Sequence, residues 1–318
     1  MKIAVFALVG AICLGLAPLT AAAQPAPALP EDPGGAVVEE LVVQAKEPGP
    51  AWWVVSDGDS TVYILGMPPG TVPKDMAWDR SWLDRRLAGA NSLILADTVK
   101  IKVGISSLGA AYRLYKTLRP DQPLEARLQE PLRSRFVAAR QSIGQPAGRY
   151  SDWSVFMASM MLVTDAEPAG WIEPRDDIIR AARKAKVRRT ELPAIDASKL
   201  LPQMFDSLDA RMETACMAAA VTTVERARPR EVARGWADGD VAAAISGPRD
   251  YEGCVLLLSG GAQIWRSAVS GASDLIAAAL KTPGRSVALV DLSMLVAEEG
   301  VIRKLEARGL TVTGPGGS

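Results

Sequence analysis

Two stretches of this sequence, one near each end, alternate β-rich runs with helical patterns, and this arrangement constrains the fold more than any other feature. In the first stretch, residues 52–55 and 61–65 flank Asp57-Gly58, a pair that favours the tight turn of a hairpin. A helical pattern and a buried strand over residues 92–96 follow the hairpin. This order of strand, loop, helix and strand is typical of an α/β unit with parallel strands.

The second stretch repeats the pattern near the carboxyl end. Residues 286–290 are fully apolar and follow the turn-favouring residues 281–285, which predicts a buried strand. A short helix around residues 299–308 ends at Gly309, and residues 310–313 close a final strand. We expect the two units to contribute strands to one sheet.

The residues between the two units have mainly helical patterns. Asp75 is placed to cap a first helix that carries Trp78 and Trp82, and apolar residues recur every fourth position over residues 124–136. Further helices are predicted over residues 152–162, 175–189 with a basic solvated face, 198–228 with an interruption near Pro202, and 262–280. The predicted fold class is α/β, a mixed sheet built from N-terminal and C-terminal strand-loop-helix units with a largely helical middle.

The amino terminus predicts a secretory signal peptide over residues 1–23, with a positive charge, the apolar residues 3–19 and three alanines suited to cleavage. A membrane anchor is the alternative, but the apolar run is barely long enough to span a bilayer. Residues 24–50 are rich in Pro and Ala and predict a flexible tether before one domain over residues 51–318. We therefore expect a periplasmic or secreted protein with no membrane span after cleavage.

Cys216 and Cys254 are the two cysteines that remain after removal of the signal peptide. An even number of cysteines in an oxidising compartment favours a disulfide bond between them. Two buried free thiols are the alternative, because the sequence does not fix the distance between the two Cα atoms.

The sequence contains no histidine, and this absence limits the available chemistry. It excludes Ser-His-Asp and Cys-His nucleophile pairs and every histidine-ligated metal site, so catalysis would have to use carboxylates, Lys, Tyr, Ser or Cys. The 36 basic residues balance 36 acidic residues, which leaves no overall positive field to attract nucleic acid. The sequence also lacks a Gly-x-Ser-x-Gly elbow, a Walker loop and a dinucleotide fingerprint.

Both strand-loop-helix units carry residues in a recognisable order. The first unit reads Val62-Tyr63-Ile64-Leu65-Gly66, Met67-Pro68-Pro69, Pro73, Trp78 and a strand that ends at Ala96. The second reads Val287 to Val290, Asp291-Leu292-Ser293-Met294-Leu295, Glu299-Gly300 and Arg308-Gly309-Leu310. These stretches resemble the opening and closing patterns of the TraB/GumN family, which is related to the Tiki metal-dependent peptidases. The resemblance covers residues 51–313.

The resemblance implies a site built from two histidines and one glutamate, and this chain lacks all three. The first His falls on Pro69, the Glu on Ala96 and the second His on Met294. The glycine pair of the closing loop is also replaced. The degenerate motif positions are Gly66, Met67, Pro69, Ala96, Asp291, Ser293 and Met294. The apparatus for metal-dependent hydrolysis is therefore expected to be missing, with no catalytic and no metal-ligating residue at these positions.

A rebuilt carboxylate site is the alternative. Asp97, Asp291 and Glu298 lie at or near predicted strand ends, and carboxylates can bind Ca²⁺ or Mg²⁺ or form an acid/base pair. However, alternation along a strand sends Ala96 and Asp97 to opposite faces, so Asp97 does not directly replace the lost glutamate. Solvated surface charges are the simpler interpretation of these acids.

We therefore predict an exported envelope protein with a TraB/GumN-like fold, no catalytic activity and no cofactor, which acts as a binding or accessory protein. Its partner would be an envelope protein, a peptide or a small molecule, and not nucleic acid. The alternative function is a metal-dependent hydrolase or peptidase that uses the carboxylate site and a divalent cation. The sequence leaves open whether Met67, Pro69 and Met294 fill the former pocket.

Overall fold

The computed structural model describes residues 49–102, 122–196, 198 and 200–315. The strands, numbered in chain order, are β1 (Trp52–Asp57), β2 (Ser60–Met67), β3 (Val72–Pro73), β4 (Ser92–Ala96), β5 (Ile101–Lys102), β6 (Trp171–Ile172), β7 (Arg188–Glu191), β8 (Ile195–Asp196), β9 (Gly284–Asp291) and β10 (Val312–Thr313).

The helices of the described residues, in the same order, are α1 (Ser81–Leu87), α2 (Leu124–Arg127), α3 (Leu132–Ser142), α4 (Val155–Asp165), α5 (Pro174–Lys184), α6 (Leu200–Asp206), α7 (Ala210–Arg226), α8 (Pro229–Ala237), α9 (Val241–Ala244), α10 (Asp250–Leu257), α11 (Gly261–Ala279), α12 (Leu292–Val296) and α13 (Val301–Glu306). Among the described residues, no helix combines the length and apolarity needed to cross a membrane.

Six strands form one mixed sheet in the order β10, β1, β2, β9, β4, β7. β1 and β2 are the predicted antiparallel hairpin, whose turn contains Gly58 at a φ of 53°. β9 lies between β2 and β4 and pairs in parallel with both, so that Leu289 is level with Leu65 on one side and with Leu95 on the other. The two units therefore share one sheet, which confirms the predicted fold class.

Helices cover both faces of this sheet because side chains alternate along each strand. On one face, Ile64, Ile94 and Ala288 pack in a cluster with residues of α8, α11 and α13. On the other face, Leu65 and Leu289 pack against α1 and α5. A further apolar cluster joins α2, α3, α4 and α7 in the helical middle of the chain.

The first helix begins later than the sequence predicts. α1 starts at Ser81 rather than at Asp75, and the side chain of Asp79 accepts a hydrogen bond of 2.7 Å from the Ser81 amide. The preceding segment has other contacts: β3 pairs with β6, and the ring of Trp78 packs 5.3 Å from that of Trp236. Trp78 is therefore a loop residue, and the predicted cap at Asp75 is wrong.

The predicted helix over residues 124–136 is two helices, α2 and α3. Pro131 lies immediately before α3, where its missing amide hydrogen and its ring prevent a continuous helix from α2. Leu128, after α2, is extended at a φ of −89° and a ψ of 135°. Leu128 and Phe136 are nevertheless both buried, as their spacing predicts.

The basic segment 175–189 is likewise not one helix, because it contains the end of a helix and the start of a strand. α5 ends at Lys184, Lys186 has a positive φ of 57°, and β7 begins at Arg188. β7 lies at one edge of the sheet, and charged side chains are typical of edge strands because they oppose pairing with other chains. This strand has no apolar alternation, which is why the sequence pattern did not reveal it.

The remaining long helices agree closely with the predicted ranges, apart from one break. The predicted interruption near Pro202 is wrong, because α6 runs from Leu200 to Asp206 and places the proline in its first turn. The break comes at residues 207–209 instead, where Asp209 caps α7 by accepting a 2.7 Å hydrogen bond from the Met212 amide.

The predicted disulfide bond joins Cys216 of α7 to Cys254 of α10, with the two Cα atoms 5.4 Å apart. Cys216 is fully buried, and the bond lies in an apolar cluster that includes Phe156 and Leu258. The bond therefore fixes α10 against α7 in the helical part of the molecule.

Candidate functional site

The carboxyl ends of β2, β9 and β4 meet at one edge of the sheet. Met67 is level with Asp291, and Ala96 is level with Val290. The segments that follow these strands therefore lie side by side, in the position where open α/β sheets bind ligands. The degenerate motif positions all lie on these strand ends, on the loop after β2, or in the first turn of α12.

Gly66, near the end of β2, allows a close approach of neighbouring side chains. A Cβ atom at this position would lie 2.5 Å from Cδ1 of Leu292 and 3.0 Å from the ring of Trp53. The indole Nε1 of Trp236 donates a 2.8 Å hydrogen bond to the carbonyl oxygen of Gly66. Glycine is therefore required here because α12 and Trp236 close directly over the end of β2.

Two of the three positions at which the resemblance implies a His or Glu lie inside the apolar core. Ala96 is fully buried, Met294 is 7% exposed, and both belong to the same cluster as Trp236. Met67 is buried on the opposite face of the sheet, whereas Pro69 is exposed in the loop after β2. The degenerate motif positions are therefore packed into the core at Ala96 and Met294 and open to solvent at Pro69.

The side chains at these three positions do not fit a divalent transition metal. Proline and alanine have no side-chain lone pair to offer, and the thioether of methionine is a soft ligand. Ala96 and Met294 are themselves packed among apolar side chains of one cluster. The donor chemistry of the family motif is absent from these positions.

Asp291 ends β9 and caps α12, where its Oδ1 accepts a 2.9 Å hydrogen bond from the Met294 amide. The pKa of its carboxyl is raised to about 6, chiefly by burial and also by the nearby Glu252, while the Met294 amide and Arg249 act to lower it. Asp291 is therefore a structural cap whose negative charge is costly in its surroundings.

The other acids of the alternative site have separate surroundings. The side chain of Asp97 is 6% exposed and forms an ion pair with Arg175, whose Nε lies 3.0 Å from Oδ2. Burial raises the pKa of Asp97, and Arg175 lowers it. Glu298 is exposed beyond the end of α12. Within the described ranges, no three His, Cys, Asp or Glu side chains are grouped so that they could hold a metal ion.

A cavity of about 260 Å³ opens beside Pro69 and Ser293, and we call it the strand-end cleft. Its walls come from the loop after β2, the end of α4, the junction of α7 and α8, and the segment from α9 to α10. Five prolines line it: Pro68, Pro69, Pro168, Pro229 and Pro248. The disulfide-linked helices α7 and α10 both contribute to its walls.

Four charged side chains line the strand-end cleft, and none of them was predicted from the sequence as a site residue. Arg249 donates two hydrogen bonds to the carboxylate of Glu252, one of 2.7 Å from Nε and one of 2.6 Å from Nη2. Arg228 donates a 2.9 Å hydrogen bond to the Ala227 carbonyl and forms no ion pair with another described residue. Burial raises the pKa of Glu167, as does the nearby Glu173.

The mixed sheet and its shared strand ends define an α/β protein with its candidate site where β2, β9 and β4 end. The model of the TraB/PrgY/gumN family matches residues 51–314, and the chain belongs to this family. This match confirms the resemblance inferred from the opening and closing stretches. Neither the curated proteins nor the solved structures gave a match to this chain.

Restoring the lost carboxylate with Ala96→Glu should strongly destabilise the protein. Ala96 is fully buried among apolar side chains, so the new charge would have no partner. We expect the free energy of unfolding at pH 7, measured by urea titration, to fall by about 3 kcal/mol or more. Thr98→Glu places the same charge at an exposed position two residues on and is the matched control. A loss below about 1 kcal/mol for Ala96→Glu would contradict the buried apolar environment.

The raised pKa of Asp291 predicts a pH-dependent gain in stability for Asp291→Asn. Between about pH 4 and pH 6, Asp291 is protonated in the folded state but ionised in the unfolded state. The free energy of unfolding of the wild type therefore falls as the pH rises through this window. We expect the two proteins to be similar at pH 4, and the variant to be more stable by up to about 3 kcal/mol at pH 7.

Urea titrations at several pH values measure this difference. Asn retains a side-chain oxygen that can accept the hydrogen bond from the Met294 amide. Asp209→Asn, at the exposed cap of α7, is the control for the change from a carboxylate cap to an amide cap. A constant difference between wild type and Asp291→Asn from pH 4 to pH 7 would show that the Asp291 carboxyl is not perturbed.

Proposed function

We propose that this protein is an exported envelope protein of the TraB/GumN type that has no catalytic activity and binds a ligand in the strand-end cleft. The observation that carries the proposal is the contrast between two parts of the former site. Ala96 and Met294 are buried in the apolar core, while Pro69 lines an open cavity. The buried positions lack side chains that could bind a divalent transition metal or act as acid or base, whereas the exposed position lies beside a cavity with space for a ligand.

The cleft has features of a binding site for a small molecule or a short peptide segment. Its volume of about 260 Å³ is just below the range of typical ligand pockets, and its lining is mainly apolar with a few polar groups. Prolines have fixed φ angles, so the five in its walls lose little conformational freedom when a ligand binds. An envelope protein that inserts one side chain into the cleft is a further candidate partner.

Export is supported by the sequence of residues 1–23 and by the disulfide bond. The leader has the charge and apolar pattern of a signal peptide, and disulfide bonds form and persist mainly in oxidising compartments. We therefore place the mature protein in the periplasm or outside the cell.

A metal-dependent hydrolase with a rebuilt carboxylate site is the second candidate. It is favoured by one observation: the pKa of Asp291 is raised to about 6 beside Glu252, which is the environment of a proton-exchanging carboxyl. In this alternative Asp291 would act with Asp97, Glu298 or Glu252 and a divalent cation. The ion pair of Asp97 with Arg175 and the exposure of Glu298 favour the first proposal.

Metal content and hydrolysis separate the two candidates. We expect the purified mature chain, after dialysis, to hold well under one equivalent of divalent metal by mass spectrometry. We also expect no hydrolysis of a mixed peptide substrate above the buffer rate when Mn²⁺ or Co²⁺ is added. Stoichiometric metal together with turnover would refute the inactive assignment, and loss of that turnover in Asp291→Asn would support the hydrolase.

Ligand binding in the cleft is tested with a neutral apolar fluorescent probe, N-phenyl-1-naphthylamine. We expect its emission to rise on binding to the wild type and the binding to fall by roughly tenfold or more in Gly70→Phe, because the new ring occupies the cleft. A Cβ at Gly70 has no atom within 4 Å, so the fold tolerates the change.

Gly253→Phe is the matched control for this experiment. Gly253 is exposed on α10, it also has no atom within 4 Å of a built Cβ, and it does not line the cleft. Equal probe binding by wild type, Gly70→Phe and Gly253→Phe would place the probe elsewhere and refute the cleft as the binding site.

A further inference from the structure

We propose that the strand-end cleft selects a ligand that carries one carboxylate next to an apolar body, and that Arg228 binds this carboxylate. The inference rests on the proposed function, because it names the chemical class of ligand for the same cleft. It is carried by the different surroundings of the two arginines that line the cleft.

Arg249 is already neutralised within the protein. Its guanidinium meets the carboxylate of Glu252 in two hydrogen bonds of 2.6 and 2.7 Å, the forked geometry in which arginine binds carboxylates most strongly. A ligand carboxylate at Arg249 would have to displace Glu252. Arg249 is therefore not the anion-binding group of the cleft.

Arg228 is in the opposite situation. Among the described residues, its guanidinium donates to the adjacent Ala227 carbonyl alone, and no carboxylate oxygen lies within ion-pairing distance of it. The remaining N–H groups of Arg228 are free to bind an anion at the cleft wall. Arginine presents them in a planar fork that matches the two oxygens of a carboxylate.

The rest of the lining determines what accompanies the carboxylate. Val232, Ile245 and Pro248 line the cleft together with four other prolines, and proline has no amide hydrogen to donate. Such walls favour an apolar group through burial and offer few hydrogen bonds to a polar one. A highly polar anion would replace only part of its hydration in a cleft whose lining is mainly apolar.

Glu167 limits the ligand to a single negative charge. It lines the same cleft, and it forms no ion pair with Arg228 or with any other described residue. A second carboxylate placed near Glu167 would be repelled, whereas a neutral or cationic group would be accepted. The complement of the cleft is therefore an apolar monocarboxylate.

This chemistry has two sources, a free carboxylic acid and the carboxyl terminus of an apolar peptide. The test compares each acid with its neutral amide: hexanoate with hexanamide, and N-acetyl-Leu-Leu with its carboxamide. Each compound competes against the neutral fluorescent probe at low ionic strength, where a charge pair is least screened. The pair with the stronger acid preference identifies the source.

We expect the acid to compete roughly five- to twentyfold better than its amide for the wild type. In Arg228→Gln the two should compete equally, and in Arg228→Lys a smaller preference should return, because lysine keeps the charge without the forked geometry. Arg230→Gln is the matched control: Arg230 lies two residues on, in the first turn of α8, stacks over Trp171 at 5.9 Å and does not line the cleft. It should keep the wild-type preference.

Each outcome has a distinct meaning. The inference about Arg228 is overturned if acid and amide compete equally in the wild type, or if the acid preference persists in Arg228→Gln. In either case, binding of the fluorescent probe to the wild type still supports the proposed function. Absence of probe binding to the wild type refutes the proposed function itself. Arg228 is exposed and makes one side-chain hydrogen bond within the described part of the chain, so its variants should fold, which circular dichroism and urea titration verify.

Discussion

The core of the sheet and the position of the candidate site both depend on the parallel pairing of β9 with β2 and β4. β9 comes from residues 284–291, yet it lies between two strands that come from residues 60–96. Its residues from Val287 to Val290 are fully buried, so its insertion removes apolar groups from water on both faces of the sheet. Because parallel strands end at the same edge, this one pairing also brings three strand ends together. The fold and the location of the site have a common cause.

Close packing at that edge accounts for the apolar surroundings of two of the degenerate motif positions. Gly66 lets Leu292 and Trp236 lie against the end of β2, and this places Met294 and Ala96 in the same apolar cluster. A charged or metal-binding side chain at either buried position would need hydration or a partner that the cluster does not provide. Loss of the donor side chains and apolar packing of the space between them are therefore consistent with each other.

The elements that could be predicted from the sequence are those with a strong local signal. The hairpin, β4, β9 and α11 have either turn residues or long apolar patterns, and the structure has them within a few residues of the predicted ranges. The elements that were missed depend on context. β7 is charged because it is an edge strand, and the helix over residues 124–136 is divided by Pro131 although its apolar spacing is regular.

The strand-end cleft could not be predicted for a different reason. Its charged lining residues come from segments that are distant in sequence and include Glu167, Arg228 and Glu252. Each looks like an ordinary surface charge when its own segment is considered alone. Only the packing of α4, α7, α8 and α10, two of which are joined by the disulfide bond, places them around one cavity. Periodicity reports which face of a helix is buried, but it does not report which helices meet.

Asp291 connects the packed part of the former site to the open part. Its side chain caps α12, which carries Met294 into the apolar core, and its charge interacts with Glu252 and Arg249 of the cleft lining. Ionisation of Asp291 is opposed by burial and by Glu252, so the free energy of its charged form depends on how Arg249 and Glu252 are arranged. A ligand that alters this pair therefore changes the proton affinity of Asp291, and the protonation of Asp291 in turn changes the affinity for that ligand.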